Sequence, residues 1–288
     1  MVFSMTGYAA LTHQIGGVAL HLELRSVNSR YLDLAFRINE ELRFAEPLMR
    51  ELIGASLSRG KVECRASLQA AAQGTPELAV NAEMLRRLAA AQALVQAALP
   101  AAAPLSTGEV LRWPGVLAEE TVSQEALVEA MGKLGKQAIA ELRDSRQREG
   151  AKLVEALRER VALMRGKIAV AAPLVPAAVE EYRNRMTLRL REAVATLDED
   201  RIRSEVTLFA QKVDVAEELT RLNTHLDEVE RVLKAGGAVG KRLDFLMQEL
   251  NREANTLASK AVSSELTGIS VDLKVYIEQM REQVQNLE

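Results

Sequence analysis

The spacing of apolar residues changes near residue 117, and this change constrains the fold more than any other feature of the sequence. From Leu20 to Leu24 every second residue is leucine, with polar residues between. Beyond residue 117, apolar residues recur every three or four positions over long stretches such as 123–170. A period of two predicts strands with one wet face, and a period near 3.6 predicts helices. The chain is therefore predicted to begin with a sheet and to continue in long helices.

These periods predict an α+β fold with a mostly antiparallel N-terminal sheet, accompanied by helices, and a helical C-terminal part. Four strands are expected in the segments FSMTGYAAL, VALHLELRSV, YLDLAFRI and KVECRASLQ. Helices are expected at 40–57, 81–98, 123–170, 201–235, 240–260 and 263–286, with one more that ends near 196. Pro173 and Pro176 are expected to interrupt the long pattern, because proline breaks helix interiors. The predicted units are an α+β domain at 1–117, a long helical arm at 118–200 and a helical domain at 201–288.

Charge, cysteine content and hydropathy narrow the class of protein. There are 37 basic and 40 acidic residues, so the net charge is −3 and any nucleic-acid site must be a local patch. One cysteine, Cys64, fits a reducing cytosol, and its strand pattern places it on an inward face. No signal peptide is recognisable, and the longest apolar stretch is too short to span a bilayer. We expect a cytoplasmic protein without membrane contact, and an oligomer, since long helices often need partners.

The segment GKRLDFLMQELNREANTLASKA, residues 240–261, has an unusually varied polar face. Glu249 and Glu253 are spaced to share a hard cation. Arg252 and Lys260 are suited to phosphate oxygens. Neutral donors suited to a polyanion are Gln248, Asn251 and Asn255. Three readings stay open: a hydrogen-bonded subunit contact, a phosphate or metal site, and a solvated surface.

Residues 201–235 carry the second candidate face. Asp214, Glu218, Arg221 and His225 follow steps of four, three and four, so they lie on one side of a helix. An imidazole exchanges protons near neutral pH, which makes His225 a candidate general acid or base. A lone histidine is more often structural or simply exposed. A carboxylate and an imidazole two turns apart do not form a metal site alone, so a functional role requires a second helix beside this face.

The wet face of the predicted sheet and its turns has a modest basic excess. Its cations are Arg25, Arg30, Arg37, Arg59, Lys61 and Arg65. Such a face can follow a nucleic-acid backbone. A solvated or helix-covered sheet face explains the same pattern. No P-loop, GxGxxG, HExxH, GxSxG or CxxC motif is present in the sequence.

Seven segments together resemble the YicC/YloC family of bacterial proteins, in the same order along the whole chain. They are FSMTGYA, LRSVNSRYLDL, SRGKVEC, RWPGVL, EELTRLNTHL, the 240–261 segment and IEQMREQVQNLE. The resemblance implies an endoribonuclease that uses a divalent cation and assembles into a hexamer enclosing RNA. One departure is Ser29, where relatives often have histidine.

Residue chemistry and resemblance together predict a site. The predicted catalytic residues are His225, Glu249, Arg252 and Lys260. The predicted RNA-binding residues are Arg25, Asn28, Arg30, Arg59, Lys61, Arg221, Gln248, Asn251 and Asn255. A divalent cation, Mn²⁺ or Mg²⁺, is predicted on Glu218, Glu249 and Glu253. Two alternatives remain: a non-catalytic RNA-binding or adaptor oligomer, and a structural oligomer with no affinity for nucleic acid.

Overall fold

A computed structural model describes residues 1–70, 80–117, 122–193 and 199–288. The N-terminal part contains one mixed four-stranded sheet in the order β1-β2-β4-β3. Its strands are β1 (Gly7–Ile15), β2 (Val18–Val27), β3 (Leu32–Ile38) and β4 (Gly60–Ala70). Strands β1 and β2, and β2 and β4, pair antiparallel, whereas β3 and β4 pair parallel. The predicted mostly antiparallel sheet is confirmed.

The parallel pair requires a crossover connection. A 3-10 helix (Glu40–Ala45) followed by helix α1 (Glu46–Ser56) provides it, where the sequence predicted one helix over 40–57. Met49 and Ile53 of α1 are fully buried against the inward leucines of β2. Cys64 lies in the same core, as its alternation predicted. Burial raises the pKa of the Cys64 thiol to about 12, so the thiol stays protonated at neutral pH.

Two further helices lie between the sheet and the long helix α4 (Gln124–Ala193), which runs for 70 residues. The two are α2 (Ala82–Ala98), as predicted, and the short α3 (Thr107–Arg112), which was not predicted. Ser106 and Glu109 form a reciprocal capping box at the start of α3. Helix α4 serves both halves of the molecule: Met131 and Leu142 pack in the sheet core, while Leu157 and Met164 pack in the helical core.

The predicted interruption at Pro173 and Pro176 is wrong, because both prolines lie inside α4. An internal proline removes one helical hydrogen bond and crowds the preceding turn, but it does not forbid the helix. Around these prolines, Ile168 and Ala171 are buried in the helical core, and Leu174 and Val175 pack against it. This packing holds the helix together across the local defect. The predicted end near residue 196 lies outside the described residues.

The C-terminal part contains α5 (Glu199–Val213), α6 (Ala216–Ala235), α7 (Gly240–Lys260) and α8 (Ser264–Val284). The limits of α7 and α8 agree with the predicted helices. The single helix predicted over 201–235 is wrong, since the chain breaks at Asp214 and Val215. The Asp214 carboxylate accepts a hydrogen bond from the Ala216 N–H at 3.0 Å. A short acidic side chain that bonds the backbone in this way favours a helix start over a helix interior.

The two halves meet at a junction formed by residues 1–6, the part of α4 around residues 146–150, and residues 284–288. Ser4 pairs with Leu287 in an isolated bridge, and the Met5 N–H donates to the Asn286 carbonyl at 2.8 Å. The Arg146 side chain is buried there; its Nε donates to the Ser4 carbonyl at 2.6 Å, and it forms an ion pair with Glu288. The chain segments therefore hold the sheet half and the helical half together.

Among the described helices, α4 alone combines the length and hydropathy of a membrane span. Between Gln124 and Arg189, its most apolar 18-residue stretch has a mean hydropathy of 1.4. Only 22% of that stretch is buried, and the helix as a whole carries core residues of both halves.

Candidate functional site

Helices α6 and α7 run antiparallel and are joined by three ion pairs, which together form a polar seam. Glu218 contacts Lys260 at 2.7 Å, Arg221 contacts Glu253 at 3.6 Å, and Glu228 contacts Arg242 at 3.2 Å. Each pair joins one residue of α6 to one of α7, and the numbers fall along α7 as they rise along α6. The predicted second helix beside the His225 face is thus α7, and four predicted site residues lie in this seam: Glu218, Arg221, Glu253 and Lys260.

Two carboxylates of the seam are buried. Glu218 is 6% exposed and Glu253 is 4% exposed. A buried carboxylate needs a partner, and Lys260 and Arg221 supply the two positive charges. Lys260 also donates to the Asp214 carbonyl at 2.9 Å, which fixes its ammonium over Glu218. The second oxygen of Glu218, Oε2, is buried without a hydrogen-bond partner within the described residues.

His225 lies at the other end of the seam, half-buried, in a shallow cavity of about 450 Å³. We call it the His225 cavity. Its lining residues are Thr224, His225, Asp227, Glu228, Arg231, Arg242, Phe245 and Leu246. The cavity therefore joins an imidazole to two guanidinium groups and to an aromatic ring that is 48% exposed, Phe245.

Glu228 organises the cations of this cavity. Arg231 donates to both of its carboxylate oxygens, at 2.6 and 2.7 Å, and Arg242 donates to one at 3.2 Å. The hydrogen bonds from Arg231 are the main cause that lowers the pKa of Glu228 to about 2; desolvation opposes this shift, and the hydrogen bond from Arg242 adds to it. Glu228 is therefore ionised throughout the neutral range, and it holds both guanidinium groups beside His225.

A second cavity, of about 390 Å³, opens at the junction of the two halves, and we call it the junction pocket. Its lining residues are Met5, Asn28, Arg30, Arg59, Gly240, Lys241, Asp244, Arg281, Val284, Gln285 and Leu287. Four of these side chains are cationic and one is a carboxylate. The pocket thus brings predicted RNA-binding residues from the sheet half into contact with the first turns of α7 and the last turns of α8.

Close backbone contacts build the junction pocket. The Asn28 amide donates to the Gln285 carbonyl at 2.7 Å. A Cβ atom at Gly240 would lie 2.5 Å from the Leu287 carbonyl oxygen, so only glycine fits where α7 begins. The pocket walls therefore come from both halves of the chain at once.

The remaining predicted residues lie outside both cavities. Arg25 and Lys61 are exposed on β2 and β4 of the sheet half. On α7, Gln248, Arg252 and Asn255 are exposed, whereas Glu249 and Asn251 are half-buried. Gln248 donates to Asp244 at 3.0 Å, which links the outer face of α7 to the junction pocket.

The predicted metal ligands are not gathered into a cluster of three. Among the described residues, no group of three or more His, Cys, Asp or Glu side chains is arranged to hold a metal ion. Glu218 and Glu253 instead face the cations Lys260 and Arg221. A larger cavity of about 950 Å³ between α4, α5 and α6 is mainly apolar and includes none of the predicted site residues.

Sequence reasoning missed several residues of the two cavities. In the His225 cavity these are Glu228, Arg231, Arg242 and Phe245, and in the junction pocket they are Lys241, Asp244 and Arg281. Glu228 follows His225 by three residues, a helical spacing that could have revealed it. For Arg281 the sequence offers no such signal, since its neighbours in the pocket are distant along the chain.

The structure therefore defines an α+β protein whose sheet half and helical half share a cationic pocket, with an imidazole and two arginines in a nearby cavity. Two family models match the chain: "Endoribonuclease YicC-like, N-terminal region" over residues 2–155 and "Endoribonuclease YicC-like, C-terminal" over residues 171–288. The chain belongs to the YicC-like endoribonuclease family.

Two relatives agree with this assignment over their full lengths. A Haemophilus influenzae protein named "Probable endoribonuclease YicC" is 38% identical over 288 residues, and the alignment covers all of both chains. A Clostridioides difficile protein of the same name is 26% identical over 293 residues, again with both chains covered completely. The family resemblance inferred from the sequence motifs is confirmed.

Proposed function

We propose that this protein is an endoribonuclease that cleaves RNA phosphodiester bonds. Family membership and the names of the two relatives support this activity. The observation that carries the proposal is the His225 cavity, which places an imidazole beside Arg231, Arg242 and the exposed ring of Phe245. These groups match a proton carrier, cations for a phosphate and a stacking surface for a base.

In the proposed chemistry, His225 acts as general acid–base. It removes the proton of the attacking hydroxyl, which belongs either to the ribose 2′ position or to water, as the new oxygen–phosphorus bond forms. The bond to the leaving oxygen then breaks, and the protonated imidazole of His225 gives its proton to that oxygen. Arg242 and Arg231 stabilise the charge that accumulates on the phosphate oxygens. Arg231 and Arg242, which Glu228 holds, thus take the charge-stabilising role that the sequence predicted for Arg252 and Lys260.

The proposed RNA path runs between the two cavities along α7. Lys241 and Asp244 line the junction pocket, while Arg242 and Phe245 line the His225 cavity, so the same two turns of α7 border both sites. Exposed polar side chains continue along the helix at Gln248, Arg252 and Asn255. Arg25 and Lys61 extend the basic surface onto the sheet. Phosphate contacts of this kind position a strand without reading its sequence.

Use of a divalent cation, Mn²⁺ or Mg²⁺, remains a prediction. Within one chain, Glu218 and Glu253 are bound to basic side chains, and Glu249 has no second carboxylate arranged with it in a cluster of three described residues. The described residues of a single chain thus do not fit the predicted ion, and no step of the proposed chemistry is assigned to it. Cleavage assays with and without chelator test the requirement directly.

The proposal includes a homo-oligomer, predicted as a hexamer that encloses RNA, in the cytoplasm. Exposed apolar side chains support association: Val271 and Val275 on α8 are 54% and 47% exposed, and Leu208 on α5 is 62% exposed. Light scattering of the purified protein measures the mass of the assembly, and fractionation of cells locates it.

The decisive experiment compares cleavage of a defined RNA by highly purified wild type, His225→Ala and Glu249→Gln, with His13→Ala as a matched control. His13 is exposed on β1 and lines neither cavity. Loss of a general acid–base should slow cleavage by about 100-fold or more. RNA affinity should change little in His225→Ala, and His13→Ala should behave as wild type. End-group analysis identifies the nucleophile, since a cyclic phosphate indicates the 2′-hydroxyl and a 5′-phosphate indicates water.

Two outcomes contradict the proposal. Cleavage by His225→Ala at the wild-type rate removes the imidazole from the mechanism. A wild type that binds RNA but never cuts it, with any metal supplied, favours the alternative of a non-catalytic RNA adaptor.

A further inference from the structure

The cations of the junction pocket differ from those of the polar seam, because most of them have no carboxylate partner. In the seam, Lys260, Arg221 and Arg242 each contact a glutamate. In the junction pocket, the guanidinium of Arg30 lies over the Tyr31 ring at 5.3 Å. Across the described residues, no ion pair is found for Arg30, Arg59 or Lys241. The positive charge of the junction pocket is therefore largely not neutralised by carboxylates.

Two donors of the pocket are also left without acceptors. The Nε atoms of Arg59 and Arg281 are buried and have no hydrogen-bond partner within the described part of the chain. Arg281 has only long ionic contacts, 4.0 Å to Asp244 and 3.8 Å to Glu278. Buried donors in native proteins are nearly always satisfied by protein or ordered water, so these two donors leave a place for an acceptor from outside the chain.

The charge of the pocket indicates what that acceptor is. Four cations face one lining carboxylate, Asp244, which leaves an excess of three positive charges. An internal RNA phosphodiester carries one negative charge, whereas a phosphomonoester carries about 1.5 to 2 at pH 7 and offers three strong acceptor oxygens. Guanidinium groups bind such oxygens in pairs. The start of α7, with Gly240 and Lys241 in the pocket wall, adds the positive end of a helix dipole.

The pocket is also rigidly built, which favours a compact ligand. Asn28 is fixed to the Gln285 carbonyl at 2.7 Å, and Ser26 donates to the Met5 carbonyl at 2.8 Å in a buried contact. The Leu287 carbonyl packs where a side chain at position 240 would lie. A preorganised wall lowers the entropic cost of binding a small charged group.

We propose that the junction pocket, through Arg30, Arg59, Lys241 and Arg281, binds the terminal phosphomonoester of an RNA chain. The inference rests on the proposed RNA substrate, and it adds an end-recognition site to the cleavage site. A terminal phosphate held at the junction places the following nucleotides along α7, toward the His225 cavity. Cleavage is then favoured on RNAs that carry a phosphorylated end.

The test measures affinity for three RNAs of one short sequence: 5′-phosphorylated, 3′-phosphorylated, and hydroxyl at both ends. Wild type, Arg59→Gln and Lys241→Gln are compared at one fixed salt concentration, with Arg86→Gln as the control. Arg86 is an exposed arginine of α2 that does not line the pocket. Lys241 is exposed, so its substitution should leave folding intact even if Arg59→Gln does not fold.

Wild type should bind either the 5′-phosphorylated or the 3′-phosphorylated RNA about 10-fold more tightly than the hydroxyl RNA. The preferred RNA shows which end the pocket binds. In Arg59→Gln and Lys241→Gln the ratio should fall toward one, because affinity for the phosphorylated RNA drops more than affinity for the hydroxyl RNA. Arg86→Gln should keep the ratio. Equal wild-type affinity for all three RNAs overturns the inference, as does an unchanged ratio in both pocket variants.

The same samples separate this inference from the proposed function. If wild type cleaves RNA but shows no end preference, the nuclease activity is supported and the end-recognition site is rejected. If wild type prefers a phosphorylated end but cleaves no RNA, the end-recognition site is supported and the nuclease activity is rejected.

Discussion

Two buried glutamates explain much of the unusual polar face of α7. Glu253 on α7 and Glu218 on α6 are almost inaccessible, and each is neutralised from the facing helix. Of the three readings left open by the sequence, the structure shows that part of this face makes a contact within the chain. The side chains farther round the helix, such as Arg252 and Asn255, stay exposed and available to a ligand.

The pair between Glu218 and Lys260 should be strongly coupled. In Lys260→Met, Glu218 is left buried without its cation, and we expect a loss of about 3 kcal/mol in the free energy of unfolding. The double variant Glu218→Gln with Lys260→Met should recover most of that loss, because no unpaired charge remains. Urea unfolding measures both values, with Lys234→Met on exposed α6 surface as the control. A double variant as unstable as the single one contradicts this coupling.

Glu228 should make a pH-dependent contribution to stability. Its hydrogen bonds from Arg231 and Arg242 lower its pKa to about 2, below the ordinary value of 4.5. A depressed acid pKa stabilises the folded state above the unfolded pKa, and the stabilisation is lost as pH falls from about 4.5 through about 2. The stability difference between wild type and Glu228→Gln should therefore be constant above pH 5 and shrink steadily below it. Urea titrations at several pH values measure it, and a difference independent of pH refutes the assignment.

At the scale of elements, helices with strong end signals were predicted well and those with internal defects were not. The Ser263 hydroxyl accepts a hydrogen bond from the Leu266 N–H at 3.1 Å and caps α8, where the sequence placed a helix start. The break between α5 and α6 was missed, because the apolar pattern continues across Asp214 while a local side-chain bond ends the helix. The prolines of α4 led to the opposite error, since the packing of Ile168 and Ala171 before them, and of Leu174 and Val175 between them, outweighed their local cost.

Replacement of Pro173 should stabilise α4. The residue is exposed within the helix, so alanine can restore the missing backbone hydrogen bond without losing core contacts. We expect Pro173→Ala to raise the free energy of unfolding by about 1 kcal/mol or more. Pro104→Ala is the control, because Pro104 lies outside the helices and should give no gain. Thermal unfolding monitored by circular dichroism measures the change, and equal shifts in both variants contradict the helical explanation.

At the scale of the whole molecule, the junction pocket shows what sequence patterns cannot supply. Asn28, Arg30 and Arg59 were predicted as RNA-binding residues from motif resemblance, but their partners Lys241 and Arg281 lie about 180 and 220 residues farther along the chain than Arg59. Helical spacing relates residues only within a few turns of one another. Tertiary packing alone brings these cations together, and it produces a strongly basic pocket in a chain whose net charge is −3.

The same packing predicts that the two halves are coupled through Arg146 and Glu288. Arg146 lies in the first third of α4 with its side chain 2% exposed, and Glu288 supplies its carboxylate partner. Glu288 is also held by the Ser58 hydroxyl, which donates to its second oxygen at 2.8 Å, so one side chain joins α4 to the segment before β4. In Glu288→Ala, Arg146 is left buried without its countercharge, and we expect a loss of about 3 kcal/mol in the free energy of unfolding.

That loss should be concentrated at the junction, which distinguishes it from general destabilisation. The Ser4 and Met5 N–H groups donate across the junction at 2.9 and 2.8 Å, so their hydrogen exchange should accelerate in Glu288→Ala more than exchange in the centre of β2. Glu282→Ala, an exposed change on α8, is the control and should alter neither rate. If exchange accelerates equally throughout the molecule, Glu288 contributes only to global stability. If it accelerates at residues 4 and 5 first, the junction opens as a unit, and the pocket formed there depends on this buried ion pair.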